Sequence, residues 1–136
     1  MVASAQYITH TFTATVSVQI PRTITADTDP QTVEHALHAF YRRAHDEMQH
    51  SGGLFPFDSL KIVADAMADS GAVTCEYTND AGITRARTLF PYSIHLTDAR
   101  KIEVKAYDTF RQATRSFRLD RMQGAHLVTL PCDQAA

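Results

Sequence analysis

ITRARTLFPYSIHLTDARKIEVKAYDTFRQATRSFRLDRM, residues 83–122, runs through short stretches of alternating apolar and polar side chains separated by turn residues. Over 102–108, Ile102, Val104 and Ala106 fall on one face and Lys105 and Tyr107 on the other, the period of a half-buried strand. Residues 83–90 predict a strand that Pro91 ends, and residues 92–96 another, before Thr97-Asp98-Ala99 turns the chain. Further strands are expected over 114–119 and 125–130, and Pro131 opens a short tail. On the N-terminal side, Val73, Cys75 and Tyr77 alternate with Thr74, Glu76 and Thr78, and Asn79-Asp80-Ala81-Gly82 makes a turn into residue 83. Short strands at this spacing predict a small barrel or a strongly bent sheet.

Upstream the period changes to that of a helix. Leu60, Val63, Ala64 and Met67 follow a cap at Asp58 or Ser59, and Ser70-Gly71 closes the element. Residues 54–57 are a short apolar linker containing Pro56. A longer helix starts at Thr28-Asp29-Pro30-Gln31 and runs to about His50, ahead of Gly52-Gly53. Thr28 or Asp29 caps it; with Thr28 as cap, Gln31 completes a capping box. Val33, Leu37, Phe40, Tyr41, Ala44 and Met48 form its apolar stripe. That stripe is expected to cover the first strand, where Ile8, Phe12, Ala14, Val16, Val18, Ile20 and Ile24 all occupy even positions. The phase survives Pro21, so the strand bends there or runs along a sheet edge. The fold class is α+β. A strand-helix unit over 1–57 precedes a short helix and a β-rich domain over 58–136, with the boundary near residues 51–57.

Composition narrows the function classes. A chain of 136 residues suits one compact protein, and 44% hydrophobic with 21% charged residues is globular rather than disordered. The net charge is −2, so nucleic acid is not bound by the whole surface and any such contact needs a local basic patch. Cys75 and Cys132 form neither a CxxC pair nor a zinc spacing; a reduced cytoplasmic chain is expected, one disulfide between them being the other arrangement. No basic stretch leads into an apolar run at the N-terminus, and no segment has the length of a membrane span. A soluble protein with no membrane partner is expected.

Residues 83–122 resemble WYL domains. In that family a strand carries arginine before a proline, a later strand holds a tryptophan-tyrosine-leucine triplet followed by alanine and an aromatic, and a phenylalanine-arginine-leucine-aspartate-arginine motif closes the domain. Arg85, Arg87 and Pro91 match the first element, Ala106-Tyr107 the middle, and Phe117-Arg118-Leu119-Asp120-Arg121-Met122 the last almost letter for letter. The triplet itself falls on Ile102-Glu103-Val104, which keeps only its hydrophobic pattern. The resemblance implies a small five-stranded Sm-like or SH3-like β-barrel. It implies a ligand sensor that binds nucleic-acid fragments or nucleotides through basic residues, in transcription control or beside anti-phage systems.

The residues themselves fit that chemistry. Arg85 and Arg87, two apart on a strand, share a face; Arg118 points away from Phe117 and Leu119, and Arg121 follows it. Were these faces and the Lys105–Tyr107 face to coincide, Arg87, Arg118 and Arg121 would contact phosphate, Tyr107 would stack on a base, and Arg85 and Lys105 would add charge. The other reading is of solvated strand faces, with Glu76, Glu103, Asp108 and Asp120 as ion-pair partners. Asp120 is read as orienting an arginine. His38 and His45 lie near one edge of the first helix without a third ligand, so no metal is expected; His95 either lines the ligand face or is an ordinary surface or core histidine. No GxSxG, HExxH, GxGxxG or phosphate-binding glycine loop is present, and no enzyme and no cofactor are expected. The leading function is a ligand-sensing regulatory or accessory module for single-stranded nucleic acid or a nucleotide. The alternative is a protein-interaction module, a small phage- or plasmid-type factor that docks on a larger nucleic-acid machine and has lost ligand binding. Its edge over residues 11–24 would pair with a protein partner or a second copy in a homodimer. A nuclease built on scattered carboxylates is the third class.

Overall fold

The computed structural model describes residues 7–13, 16–51 and 57–128. The N-terminal region holds β1 (Tyr7–Thr13), β2 (Val16–Pro21) and β3 (Thr23–Thr25), then α1 (Pro30–Ser51) and α2 (Phe57–Ala68). The β-rich region holds β4 (Ala72–Thr78), β5 (Thr84–Leu96), β6 (Ile102–Asp108), β7 (Ala113–Arg118) and β8 (Met122–Val128), with a 3-10 turn at Leu119–Arg121 before β8.

The single long N-terminal strand expected from the alternation is instead three strands. β1 and β2 form an antiparallel hairpin that pairs Ile8 with Ile20 and Thr9 with Gln19. Paired residues share a face, and up to the register shift after Thr11 even positions pair with even, so the alternation there has the same phase in both strands. The reversal at residues 14 and 15, like the side chains of Phe12, Val16 and Val18, lies outside the described residues. After Pro21 the chain does bend, and β3 joins the main sheet by pairing with β5.

α1 begins where the sequence places it. Asp29 is the cap: its Oδ2 accepts from the Thr32 N–H at 3.1 Å, while the Thr28 hydroxyl accepts from the Thr25 N–H at 2.9 Å. The Thr28–Gln31 box is therefore replaced by an aspartate cap. Leu37, Phe40 and Ala44 are buried as expected, joined by Ala36 and Ala39. α2 starts at Phe57, just before the expected caps, and ends in a Schellman motif: the Gly71 N–H reaches the Ala66 carbonyl at 2.8 Å, and Ser70 sits at φ 55. Ile8, Ile20 and Ile24 share one hydrophobic core with these helices and with Val73, Leu89, Ile94, Val104, Phe117 and Leu119.

The sheet is antiparallel in the order β7-β6-β5-β4-β8, with β3 on β5. Pro91 was expected to end a strand; β5 runs through it. A proline is tolerated there because the β5–β6 register slips between Pro91 and Ser93, a bulge that needs no donor from it. On the edge of β5 opposite β6, β4 covers the first half and β3 the second. Topology forces curvature. Four inter-strand steps separate β7 from β8, about 19 Å in a flat sheet. The chain from Arg118 to Met122 spans at most about 14 Å, so the sheet must curl until its ends approach. Across that gap the Tyr77 hydroxyl on β4 accepts the Arg118 N–H on β7 at 3.0 Å, and the Tyr77 and Phe117 rings meet edge to face at 5.0 Å. No β7–β8 ladder is present among the described residues, so the expected barrel is seen as a curled sheet.

Candidate functional site

The β5–β6 register sets the faces. Leu89 pairs with Asp108 and Phe90 with Tyr107. Arg85, Arg87 and Leu89 therefore share the concave side with Asp108, while Phe90, Tyr107 and Lys105 turn outward. β7 follows the same rule: Ala106 pairs with Arg115 and Glu103 with Arg118. Arg115 thus faces inward beside Phe117, and Arg118 outward.

Asp108 is fully buried and organises the open end of the concave face. Its Oδ2 takes a hydrogen bond from Arg87 Nη1 at 3.3 Å, and its Oδ1 caps the Phe110 N–H at 2.9 Å. The Gln112 N–H returns to the Asp108 carbonyl at 2.7 Å, with Gln112 at φ 54, so the 109–112 loop folds back over the strands. This seats the Phe110 ring beneath three guanidiniums: Arg87 at 4.8 Å, Arg85 at 5.7 Å and Arg111 at 5.9 Å. Arg87 itself is only 7% exposed, and its Nε–H is buried with no hydrogen-bond partner.

Arg87, Asp108 and Arg111 line a cleft of about 160 Å³ that also takes in Arg115, Arg121, Asp80, Tyr77 and Phe117. Arg121 enters from the 3-10 turn and pairs with Asp80 in the β4–β5 turn; that bond raises its already high pKa. Four guanidiniums thus meet two carboxylates, a surplus of two positive charges. Arg111 and Arg115 form no ion pair among the described residues. At about 160 Å³ the cleft is smaller than the roughly 300–1,000 Å³ of pockets that enclose a small molecule. Its size matches a compact charged group. A larger groove of about 360 Å³ between α1 and α2 is lined by Val33, Leu37, Ala64 and Met67 and gathers no arginine.

The six residues read from the sequence divide between two faces. Arg87 and Arg121 line the cleft, while Arg85 lies outside its lining, over the Phe110 ring. Lys105 and Tyr107 lie on the outer face, as does Arg118, whose Nε and Nη2 are gripped by Asp120 at 3.1 and 2.6 Å. The two faces do not coincide. Arg111, Arg115 and Asp80 were missed. For Arg115 a signal existed: it shares parity with the core residue Phe117, and a charge at a core-facing position marks a polar cavity. Arg111 sits in a loop, where alternation carries no information. His95 lies away from the cleft, its Nδ1 2.6 Å from the Thr23 hydroxyl. His38 stacks on Phe57 and His45 on Tyr41, and no metal-competent cluster of three ligands occurs among the described residues. Cys75 is a buried free thiol, while Cys132 lies outside the described residues. No described helix is long and apolar enough to cross a membrane.

A family model for the WYL domain matches residues 58–127, α2 through β8. No curated protein matches the chain. Matching solved structures include the proteasome accessory factor B/C (PafBC) of Arthrobacter aurescens, at 18% identity and a TM-score of 0.49. That match covers 54% of this chain and 11% of the PafBC chain.

Proposed function

The chain belongs to the WYL domain family, and on that premise we propose that it is a regulatory or accessory module that senses single-stranded nucleic acid or a nucleotide. Its curled sheet serves as a small Sm-like barrel, and the arginine cleft takes a phosphate. One observation carries this reading. Arg87 is buried, keeps an unpartnered Nε–H, and sits in a cleft where arginines outnumber carboxylates. A buried donor without a partner is costly, and an oxyanion supplies the missing acceptor and the missing charge together. Arg111, Arg115 and Arg121 supply further forks; Asp108 holds Arg87 in place and Asp80 is the group a ligand displaces from Arg121. Binding of this kind fits transcription control or anti-phage defence, where a nucleic-acid fragment reports a state of the cell.

The test is fluorescence anisotropy with labelled single-stranded DNA and RNA at about 50 and about 200 mM salt. Arg115→Ala and Arg121→Ala run alongside; both residues lie at the cleft rim, and neither supports the core. Salt-sensitive binding that drops roughly tenfold in each variant is the expected result. A folded protein that binds neither oligonucleotides nor nucleotides overturns the reading. The protein-docking alternative rests on a separate observation: Phe90, Tyr92 and Tyr107 are 36%, 45% and 40% exposed, and the Phe90–Tyr107 pair faces away from the cleft.

A further inference from the structure

We infer that the chain carries a second oxyanion site, formed by Arg22, Arg43 and Arg100 where the N-terminal hairpin and α1 meet the β5–β6 turn. Three segments distant in sequence converge there. Arg22 links β2 to β3; its Nη1 donates to the Leu96 carbonyl at 3.3 Å and pairs with Asp98 at 2.9 Å. Arg43 projects from α1, and its Nη2 donates to the Thr9 carbonyl at 2.8 Å. Arg100 sits in the turn at φ 59, a conformation that side chains other than Asn, Asp and Gly rarely adopt. The turn holds it there: the Arg100 N–H meets the Thr97 carbonyl at 2.9 Å, and the Thr97 hydroxyl accepts from the Lys101 N–H at 3.1 Å.

Two features of this cluster are unsatisfied. The Nε–H groups of Arg22 and Arg43 are both buried with no hydrogen-bond partner. The three guanidiniums also repel. Burial first, and then the charges of Arg100 and Arg22, push the Arg43 pKa below its ordinary value. The acid shown paired in the cluster is Asp98, which is 77% exposed. Unpaired buried donors and crowded like charges are both unfavourable, and one bound oxyanion relieves both. A guanidinium fork matches a phosphate edge, and among the described residues three forks gather against one paired carboxylate, which suits a phosphate better than a singly charged carboxylate.

This site is distinct from the cleft. Arg22 is anchored at Leu96, nine residues along β5 from Arg87, which is about 30 Å along the strand. It stands or falls independently of the cleft reading. The phosphate comes either from a small molecule or from a nucleic-acid backbone that continues past the sheet.

Arginine Nε–H signals of the full ¹⁵N-labelled chain, followed by NMR during titration with sodium phosphate at ionic strength matched by chloride, test the site. The Arg22 and Arg43 Nε–H signals are expected to shift saturably with phosphate and not with chloride. Arg100→Asn, which suits the turn geometry, is expected to abolish those shifts while its backbone amide spectrum away from the turn stays that of the folded parent chain. Absence of a saturable shift at Arg22 and Arg43, or shifts that persist unchanged in Arg100→Asn, overturns the inference. Repeating the titration with a single-stranded oligonucleotide distinguishes the sources: the same two signals move if a backbone phosphate occupies the site. If phosphate alone moves them, the site takes small molecules.

Discussion

Arg87 and Asp108 bury opposite charges, with side chains 6% and 1% exposed, under a loop that Asp108 itself organises. Such a pair is conditional: each charge is tolerated because the other is present. Removing one partner strands the other, so Asp108→Ala is expected to destabilise the fold by about 3–5 kcal/mol in urea unfolding. Loss of only a few tenths would mean the pair is solvated and not buried. Cys75, paired across the ladder with Arg87, makes a pH prediction. Burial pushes its thiol up from 9.0 to about 11, with Arg87 pulling it down and Asp108 pushing it up. The folded state holds the proton more tightly than the unfolded state, so this contribution is intact below pH 9 and is lost as pH rises through about 11. In a Cys132→Ser background the folded thiol is expected to resist disulfide-exchange reagents at pH 8 and to react once urea unfolds the chain; rapid labelling of the native state would contradict it. At this scale the sequence showed which strands carry arginines more readily than where those arginines point. Arg85 and Arg87 share a face because a strand alternates, but the grouping with Lys105 and Tyr107 depended on inter-strand register, which no local pattern encodes.

Helix ends and turns show what local chemistry decides and what it leaves open. Asp29 and Ser70-Gly71 are legible because caps are local, and their energetics have opposite signs. Asp29→Ala removes the acceptor for the Thr32 N–H and is expected to lower stability by about 1 kcal/mol. Ser70→Gly relieves a non-glycine residue held at φ 55 and is expected to raise it by about 1 kcal/mol. Thermal unfolding of the two variants reads both, and a destabilised Ser70→Gly would show that the serine side chain supports the turn. The hairpin of β1 and β2 was illegible for a definite reason. Over Tyr7 to Thr11 its register pairs even positions with even, so hydrophobic alternation there is the same for one strand as for two. Pro91 misled in the opposite way. Its missing N–H reads as a stop, yet a bulge absorbs it and β5 continues, which gives β3 and β4 a common edge to share.

The whole molecule carries a net charge of −2, so its overall field does not draw in a polyanion. Whatever affinity it has for nucleic acid must come from contacts inside the basic clusters, and salt dependence measures those contacts. Each phosphate neutralised on a single strand contributes about −0.7 to the slope of log K against log salt concentration. Arg115 faces into the cleft and forms no ion pair among the described residues, so its removal breaks no salt bridge of the fold. Arg115→Ala is therefore expected to weaken single-strand binding uniformly across sequences and to flatten the slope by about 0.7. Arg118→Ala makes the contrast. Its guanidinium is already committed to Asp120 on the outer face, so the slope should stay unchanged even if affinity falls through lost packing. Should Arg118→Ala flatten the slope while Arg115→Ala leaves it alone, the nucleic acid lies on the outer face beside Phe90 and Tyr107. The concave cleft is then a structural ion-pair network and not a phosphate site.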